Sequence, residues 1–386
     1  MNYDGVIQGG GIVGASLALM LAQQKYRVLL LEKNLPIAPD NDLAARTLAL
    51  SYASCQIFAA LGVWDNLLPA AVPIEQVKVS VQGQYGCARL KSPDQSQPLG
   101  YVVGFHALEN ALYTALSSLA SLAEVDVIRP GTMISCDSHP EYWQGTLDNA
   151  QTFNTRLLVA ADGANSRLGQ QQSIVTHETV YGHVALMTNV ELKTTRNIAI
   201  ERFLPQGALA LLPWQGDYAT LVWTMPEHHK ITFETMSDND FLYQCQQVLG
   251  QRIGKLVRCG KRYYFPLTMQ LAATQHSCRF LLLGNAAHQL HPIAAQGLNL
   301  SLRDIWQLRA QLLHQPWCDI GSQTFLATYV KAREQDQAKA VFSTDKIAKF
   351  LSGGPLPYWL RAVGITLFDA CAPLKQRFTR LNMGLA

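Results

Sequence analysis

The chain is poor in charge. Only 15% of its 386 residues are Asp, Glu, Lys or Arg, and 31 basic residues against 28 acidic ones leave a formal charge of +3. So small a balance excludes a dedicated nucleic-acid binder. The eight cysteines (55, 87, 136, 245, 259, 278, 318 and 371) form no Cys-x-x-Cys pair. That excludes a disulfide scaffold or zinc module and fits a reducing compartment. No stretch reaches membrane-spanning length without a charge. The most apolar one, Val6 to Leu21, falls short of the ~20 residues a spanning helix needs and is broken by Gly9, Gly10, Gly11 and Gly14. Its lead-in, Met-Asn-Tyr-Asp, lacks a basic signal-peptide region, so the cytoplasm is the expected location. There is no internal repeat, no low-complexity linker and no Ser/His/Asp or nucleophile-elbow pattern. His288 and His291 stand three apart with no carboxylate or Cys beside them, so no metal site is expected.

What is present is apolar bulk: 48% hydrophobic residues, enough for a large core and against disorder. The length suits two or three domains. Tyr3 to Gln8 reads as a strand, Gly9 to Gly14 as a turn, Ala15 to Gln24 as a helix and Arg27 to Glu32 as a second buried strand, a βαβ unit. Ala44 to Leu61 reads as helical, Val77 to Leu90 as a strand pair, and His106 to Ala123 as a helix with apolar spacing at Leu108, Leu112, Ala115, Leu116 and Leu119. Leu157 to Ala161 is a short apolar strand ending in Asp162-Gly163. From Tyr181 to Pro266, four strand-like runs (184–192, 198–203, 208–213 and 219–225) predict an antiparallel sheet. A buried strand at Phe280 and helices over 297–314 and 324–351 restore the α/β texture. The expected fold is α/β: a discontinuous Rossmann-type domain (1–75, 96–175 and 275–345), an inserted antiparallel-sheet domain (76–95 and 176–274) that binds substrate, and a C-terminal helical segment (346–386).

Gly9-x-Gly11-x-x-Gly14 lies between strand and helix. Gly9 suits the tight turn, Gly11 lets backbone approach a pyrophosphate, and Gly14 lets the helix pack closely. The helix N-terminus offers N–H groups and a positive dipole end to phosphates. Glu32, eighteen residues after Gly14, ends the next strand, where a carboxylate accepts ribose hydroxyls and disfavours a 2′-phosphate. On this motif alone the ligand is FAD or NAD.

Two later motifs resolve that choice by resemblance. Leu158-Val-Ala-Ala-Asp162-Gly163-Ala-Asn-Ser-Arg167, and the run from Leu283-Gly284-Asn285-Ala-Ala-His288 to Pro292, Ala295, Gly297, Leu298 and Asn299, resemble the later fingerprints of the flavoprotein aromatic hydroxylases, the para-hydroxybenzoate hydroxylase family. All three fingerprints match in order and spacing across most of the chain. Arg46-Thr-Leu-Ala-Leu-Ser, Glu201 to Pro213, Tyr329-x-x-x-Arg333-x-x-Asp336 with Thr344, and Asn382-Met-Gly-Leu resemble the ubiquinone-biosynthesis branch, in particular its 2-octaprenyl-6-methoxyphenol hydroxylases. The resemblance implies FAD as cofactor, NAD(P)H as transient electron donor and O₂ as co-substrate. It also implies hydroxylation of a polyprenylated phenol by way of a flavin C4a-hydroperoxide.

The resemblance further implies roles. Gly9, Gly11, Gly14, Glu32, Arg46, Asp162, Gly163, Asn285, Gly297, Leu298 and Asn299 would bind FAD. Pro292 and Arg46 would flank the reacting flavin. Asn285 stands where most of the family has Asp; the near-isosteric amide still accepts a hydrogen bond. Ala295 stands where the family reads Gly, which costs of order 1 kcal/mol if that position needs positive φ. Competing readings are a surface arginine on an early helix for Arg46 and a salt-bridged Asp-Gly turn for Asp162 and Arg167. For the whole protein they are a hydroxylase for another ring position of the pathway and a non-catalytic flavin-binding assembly subunit.

From Lys346 onward six basic residues (Lys346, Lys349, Arg361, Lys375, Arg377, Arg380) face one acidic residue, Asp369, with Phe350, Trp359 and Phe368 between them. Such a segment predicts either peripheral contact with the inner membrane through 346–380 or a helix packed on the FAD domain. A ubiquinone-biosynthesis complex is a further expected partner.

Overall fold

A computed structural model describes all residues except 95, 122–123, 193–196, 292–295, 317, 352–357 and 386; the side chains of 252, 350, 351 and 358 are also outside it. Pro292 and Ala295 therefore lie outside the described residues.

The N-terminal strand β1 (Asn2–Gln8) is followed by helix α1 (Ile12–Gln23) and strand β2 (Val28–Leu31). Nearly every residue of all three is buried, which is why they read as one apolar run. They belong to an eight-stranded sheet whose main path runs β18 (His276–Ser277), β19 (Phe280–Leu282), β11 (Thr152–Ala160), β1, β2 and β8 (Val125–Ile128); β10 (Trp143–Leu147) pairs β11, and β9 (Met133–Ser138) pairs β10. From β19 to β8 the neighbours are parallel. A parallel sheet must be covered on both faces. One face carries α1, α4 (Phe105–Ala120) and α8 (Gln296–His314) around a core with Leu17, Leu30, Leu112, Val159 and Tyr329. The other carries Leu29, Trp143, Leu158 and Phe280.

A nine-stranded sheet runs β20 (His288–Gln289), β17 (Tyr263–Ala272), β12 (Thr176–Leu192), β15 (Tyr218–Pro226), β14 (Gly207–Pro213), β13 (Ile198–Leu204), β5 (Gln76–Val81) and β6 (Cys87–Lys91), with β16 (Leu256–Cys259) pairing β12. Its pairs are antiparallel except β13 with β5. Alternation splits its side chains. Leu186, Leu209, Leu221 and Trp223 pack with α7 (Asp238–Leu249) and with Phe233 of α6 (Lys230–Thr235). The opposite face looks toward a three-stranded sheet, β3 (Thr47–Ser51), β7 (Gly100–Gly104) and β4 (Val72–Ile74).

The helix expected over 44–61 is instead β3 followed by α2 (Tyr52–Ala60). Ser51 divides them: its side chain accepts the Ser54 N–H and caps the helix. Short helices α3 (Trp64–Leu67) and α5 (Arg167–Gln171) fill connections. The chain closes with α9 (Gln323–Leu351), α10 (Tyr358–Ala370) and α11 (Ala372–Met383). Among the described residues no helix is long and apolar enough to cross a membrane.

Candidate functional site

Because β1, β11 and β19 are parallel neighbours, the turns that follow them come out at one edge of the sheet. Gly9 has φ +107°, and a Cβ there would lie 2.3 Å from the Ala161 carbonyl oxygen. A Cβ on Gly14 would lie 1.8 Å from the Gly9 oxygen, so the helix rests on the turn. Gly11, by contrast, has open space around it, and α1 begins with no side-chain cap, leaving its first N–H groups for a ligand.

Glu32 Oε2 accepts the Gly10 N–H at 2.8 Å and Oε1 accepts the Asn34 N–H at 2.8 Å. Each oxygen keeps a second lone pair for a hydroxyl. The Tyr113 hydroxyl donates to the Gly10 carbonyl at 2.8 Å, and Arg129 lies over the Tyr113 ring at 4.5 Å while pairing with Glu109. Sequence reasoning missed Tyr113. It is 103 residues from Gly10, and nothing local separates it from an ordinary helix aromatic.

Asp162 Oδ2 accepts the Arg167 backbone N–H at 3.1 Å, whereas Oδ1 is buried with no hydrogen-bond partner. The Arg167 side chain is exposed, so its main chain rather than its guanidinium orients the loop. Gly163, at φ +97°, is open on the side a Cβ would occupy. Asn285 stands exposed between buried Gly284 and Ala286, and a Cβ on Gly284 would meet Val13 of α1 at 3.2 Å. This exposed amide thus sits beside the start of α1. A buried orphan acceptor, an open glycine turn and free helix N–H groups together fit the ribose, ribityl and phosphate groups of FAD.

Gly297 is open, and Leu298 packs against the main core. Asn299 is buried. Its Oδ1 accepts from the Ser51 N–H at 2.9 Å and the Ser54 hydroxyl at 2.7 Å, and its Nδ2 donates to the Ala49 carbonyl at 3.2 Å. Its side chain is therefore a brace between α8 and β3. Arg46 precedes β3 rather than lying on a helix. Its guanidinium stacks over Phe105 at 4.7 Å, and burial lowers its pKa.

Behind this edge lies a buried polar network. His288 Nε2 meets Asp304 Oδ2 at 2.6 Å, while Asp304 Oδ1 accepts from Arg333 Nε at 2.6 Å and Gln337 Nε2 at 3.0 Å. Arg333 and Arg303 also pair with Asp336. Burial alone would raise the Asp304 pKa, but His288 and Arg333 outweigh it and hold the carboxyl below its usual range. The network joins the segment after Asn285 to α8 and α9. Nearby, buried His291 meets the Tyr181 ring edge-on at 5.2 Å, and burial plus His183 push its pKa down to about 4.

The two large sheets are laced through β3. Thr47 and Thr220 share a 2.6 Å hydroxyl contact, and Asn189 donates to the carbonyls of Asp42 and Ala45.

A family model described as "FAD binding domain" matches residues 2–344. The ubiquinone hydroxylase UbiL of Rhodospirillum rubrum is 31% identical over 99% of this chain and 89% of its own length. The 3-demethoxyubiquinol 3-hydroxylase of Escherichia coli is 28% identical over 98% of both chains. Among solved structures, P. aeruginosa PqsL in complex with 2-aminobenzoylacetate superposes with a TM-score of 0.78 at 20% identity, covering 95% of this chain and 99% of its own. That last likeness is one of fold.

Proposed function

The chain belongs to the FAD binding domain family, and from that membership we infer that it is an FAD-dependent monooxygenase that hydroxylates the aromatic ring of a polyprenylated phenol in ubiquinone biosynthesis. The carrying observation is the convergence of the three glycine-containing turns at one sheet edge, in a chain similar along its whole length to ubiquinone hydroxylases. Residues 1–75, 96–175 and 275–345 form the FAD-binding part, and 76–95 with 176–274 form the substrate part. Gly9, Gly11, Gly14 and the α1 N-terminus hold the pyrophosphate, and Glu32 holds the adenosine ribose. Asp162, Gly163 and Asn285 hold the remaining polar groups. The backbone of Gly297, Leu298 and Asn299 faces the flavin end, with Arg46 nearby. Bound there, FAD supplies reduction by NAD(P)H and activation of O₂. The protein binds the phenol against that site and keeps water out.

The similarity to a 3-hydroxylase supports a second reading, attack at another carbon of the same ring. The test is incubation of the FAD-loaded protein with NADH or NADPH and a prenylated phenol, followed by mass spectrometry. The expected product is one oxygen atom heavier. Reductant consumption with peroxide release and no product, across phenols differing in open ring positions, refutes the reading.

A polyprenyl chain must be met at a membrane or handed over by a partner. Supporting membrane contact, Trp359, Val363 and Leu367 are exposed at four-residue spacing on α10, and Leu374, Phe378 and Leu381 are exposed along α11. Arg361 is not part of the basic surface: it is buried, and its NH1 donates to the Leu204 carbonyl. Lys375 is held by Asp369. Contact therefore rests on the apolar stripe, flanked by exposed Arg377 and Arg380. Trp359, Val363 and Leu367 changed together to Gln should abolish cosedimentation with anionic liposomes while FAD content is unchanged; undiminished binding refutes the contact.

A further inference from the structure

On β13, Ile200 and Leu204 pack into the core behind the nine-stranded sheet, and Arg202 turns the same way, donating to the Val248 carbonyl and the Ser80 hydroxyl. Strand alternation sends Ala199, Glu201 and Phe203 to the opposite face. Ala199 packs there with Ile74, Val102 and Trp214, so this face is the one turned to the three-stranded sheet, which Asn299 braces to α8. Glu201 therefore projects into the space between the substrate sheet and the FAD-binding part.

The surroundings of this carboxylate are unusual. Its register neighbours are Ala210 on β14 and Val79 on β5; the next position across is Val222 on β15. None can donate a side-chain hydrogen bond or titrate. Among the described residues no ion pair or side-chain hydrogen bond reaches Glu201. The side chain lies deep within the protein yet retains some accessible surface, so it is not sealed off by packed atoms. An acid on an apolar wall with no internal partner is expensive unless a ligand completes it.

We propose that Glu201 is the residue that recognises the phenolic hydroxyl of the substrate, accepting its hydrogen bond and then its proton. In that step the phenol O–H bond breaks, a carboxyl O–H bond forms on Glu201, and the electron pair stays on the phenolate oxygen. The negative charge passes from protein to ring, which becomes the more electron-rich partner for hydroxylation. Two features suit the carboxylate to this task. Its neighbours on this face, Ala210, Val79 and Val222, offer a ring apolar contact without competing for its hydroxyl. Burial, with no neighbouring charge contributing, also lifts its pKa to about 7, bringing it closer to that of a phenol than an exposed glutamate would be.

The inference rests on the proposed phenol substrate, and its test separates the two. The probe is a short-chain prenylated phenol whose ionised form absorbs at longer wavelength, titrated into the FAD-loaded protein and into Glu201→Gln from pH 5.5 to 9. The parent should bind the phenol with an inflection near pH 7 and shift the bound phenol toward its ionised spectrum. Glu201→Gln, isosteric but neutral, should keep FAD, lose the inflection, leave the bound phenol un-ionised and reduce kcat by ~100-fold or more. Glu201→Asp should restore part of the pH dependence. An unchanged pH profile and spectrum in Glu201→Gln overturns the inference, as does a parent that does not bind the phenol. A parent that binds and ionises the phenol through Glu201 but forms no hydroxylated product leaves this inference standing and removes the proposed reaction.

Discussion

Replacing Asp304 by Asn should be among the most damaging single changes in the protein, and the structure gives the size. Asp304 is 1% exposed and serves three donors: His288, Arg333 and Gln337. The amide keeps an acceptor but removes the charge that balances buried Arg333, and it presents an NH₂ where one donor now points. Removing one partner of a buried pair costs about 3–5 kcal/mol. Asp336 is the built-in control. It binds the same Arg333 and also Arg303, but its side chain is 38% exposed. Water can replace it, so Asp336→Asn should cost no more than about 1 kcal/mol. Urea unfolding followed by circular dichroism would compare both variants with the parent. FAD fluorescence recorded alongside would report the flavin edge, because His288 follows Asn285 by three residues. Equal losses for the two variants would refute the argument, since it attributes the difference to burial alone. The acid side carries the same sign. The Asp304 carboxyl is held below its unfolded value, so its contribution is complete above about pH 4 and disappears as the pH falls through the lower folded value.

The glycine turn offers a paired test. Gly11→Val should fold normally and hold no FAD, because a Cβ at Gly11 meets nothing; Gly14→Val should fail to fold, because its Cβ would collide with the Gly9 carbonyl. Gel filtration and absorbance of the purified proteins distinguish the two, and FAD retained by Gly11→Val would sink the assignment. Asn285→Asp should keep FAD, and the added negative charge should lower the flavin midpoint potential measured by dye equilibration. His291 is buried neutral with its pKa near 4. The unfolded chain therefore binds a proton first as pH falls below about 6.5, and His291 should withdraw up to roughly 3 kcal/mol of stability between there and pH 4. His291→Gln should flatten that part of the stability profile; an unaltered slope would show that the ring is solvated.

The parts that were legible in the sequence are those whose causes are local. The turn at Gly9, its helix and Glu32 follow one another within a single βαβ unit. The strands of 184–225 declare themselves by alternation and turn residues. The segment 44–61 reads as one helix because Leu50, Ile57 and Leu61 fall at helical spacing across the boundary, and only the Ser51 cap separates strand from helix. The rest depends on partners far along the chain. Asn299 braces Ser51 from 248 positions away, and Arg361 disappears against Leu204 across 157. A basic residue with an apolar neighbourhood gives no local sign that its charge points inward.

The strand order β19, β11, β1 also sets a timetable for biosynthesis. The central strand pair needs residues 2–8 and 152–160, but the third turn of the flavin edge arrives only after 280–282 have paired with β11. At about 5–20 residues per second, the intervening stretch of roughly 120 residues takes on the order of 6–24 s to emerge. During that interval the 158–160 stretch of β11 is an open apolar edge, since β10 covers only 152–155, and the nine-stranded sheet is the part being made. A nascent chain can therefore hold no complete flavin site until about three-quarters of it has been synthesised. Products truncated before residue 280 should emerge colourless and exposed to chaperones or proteases, however intact their glycine turn.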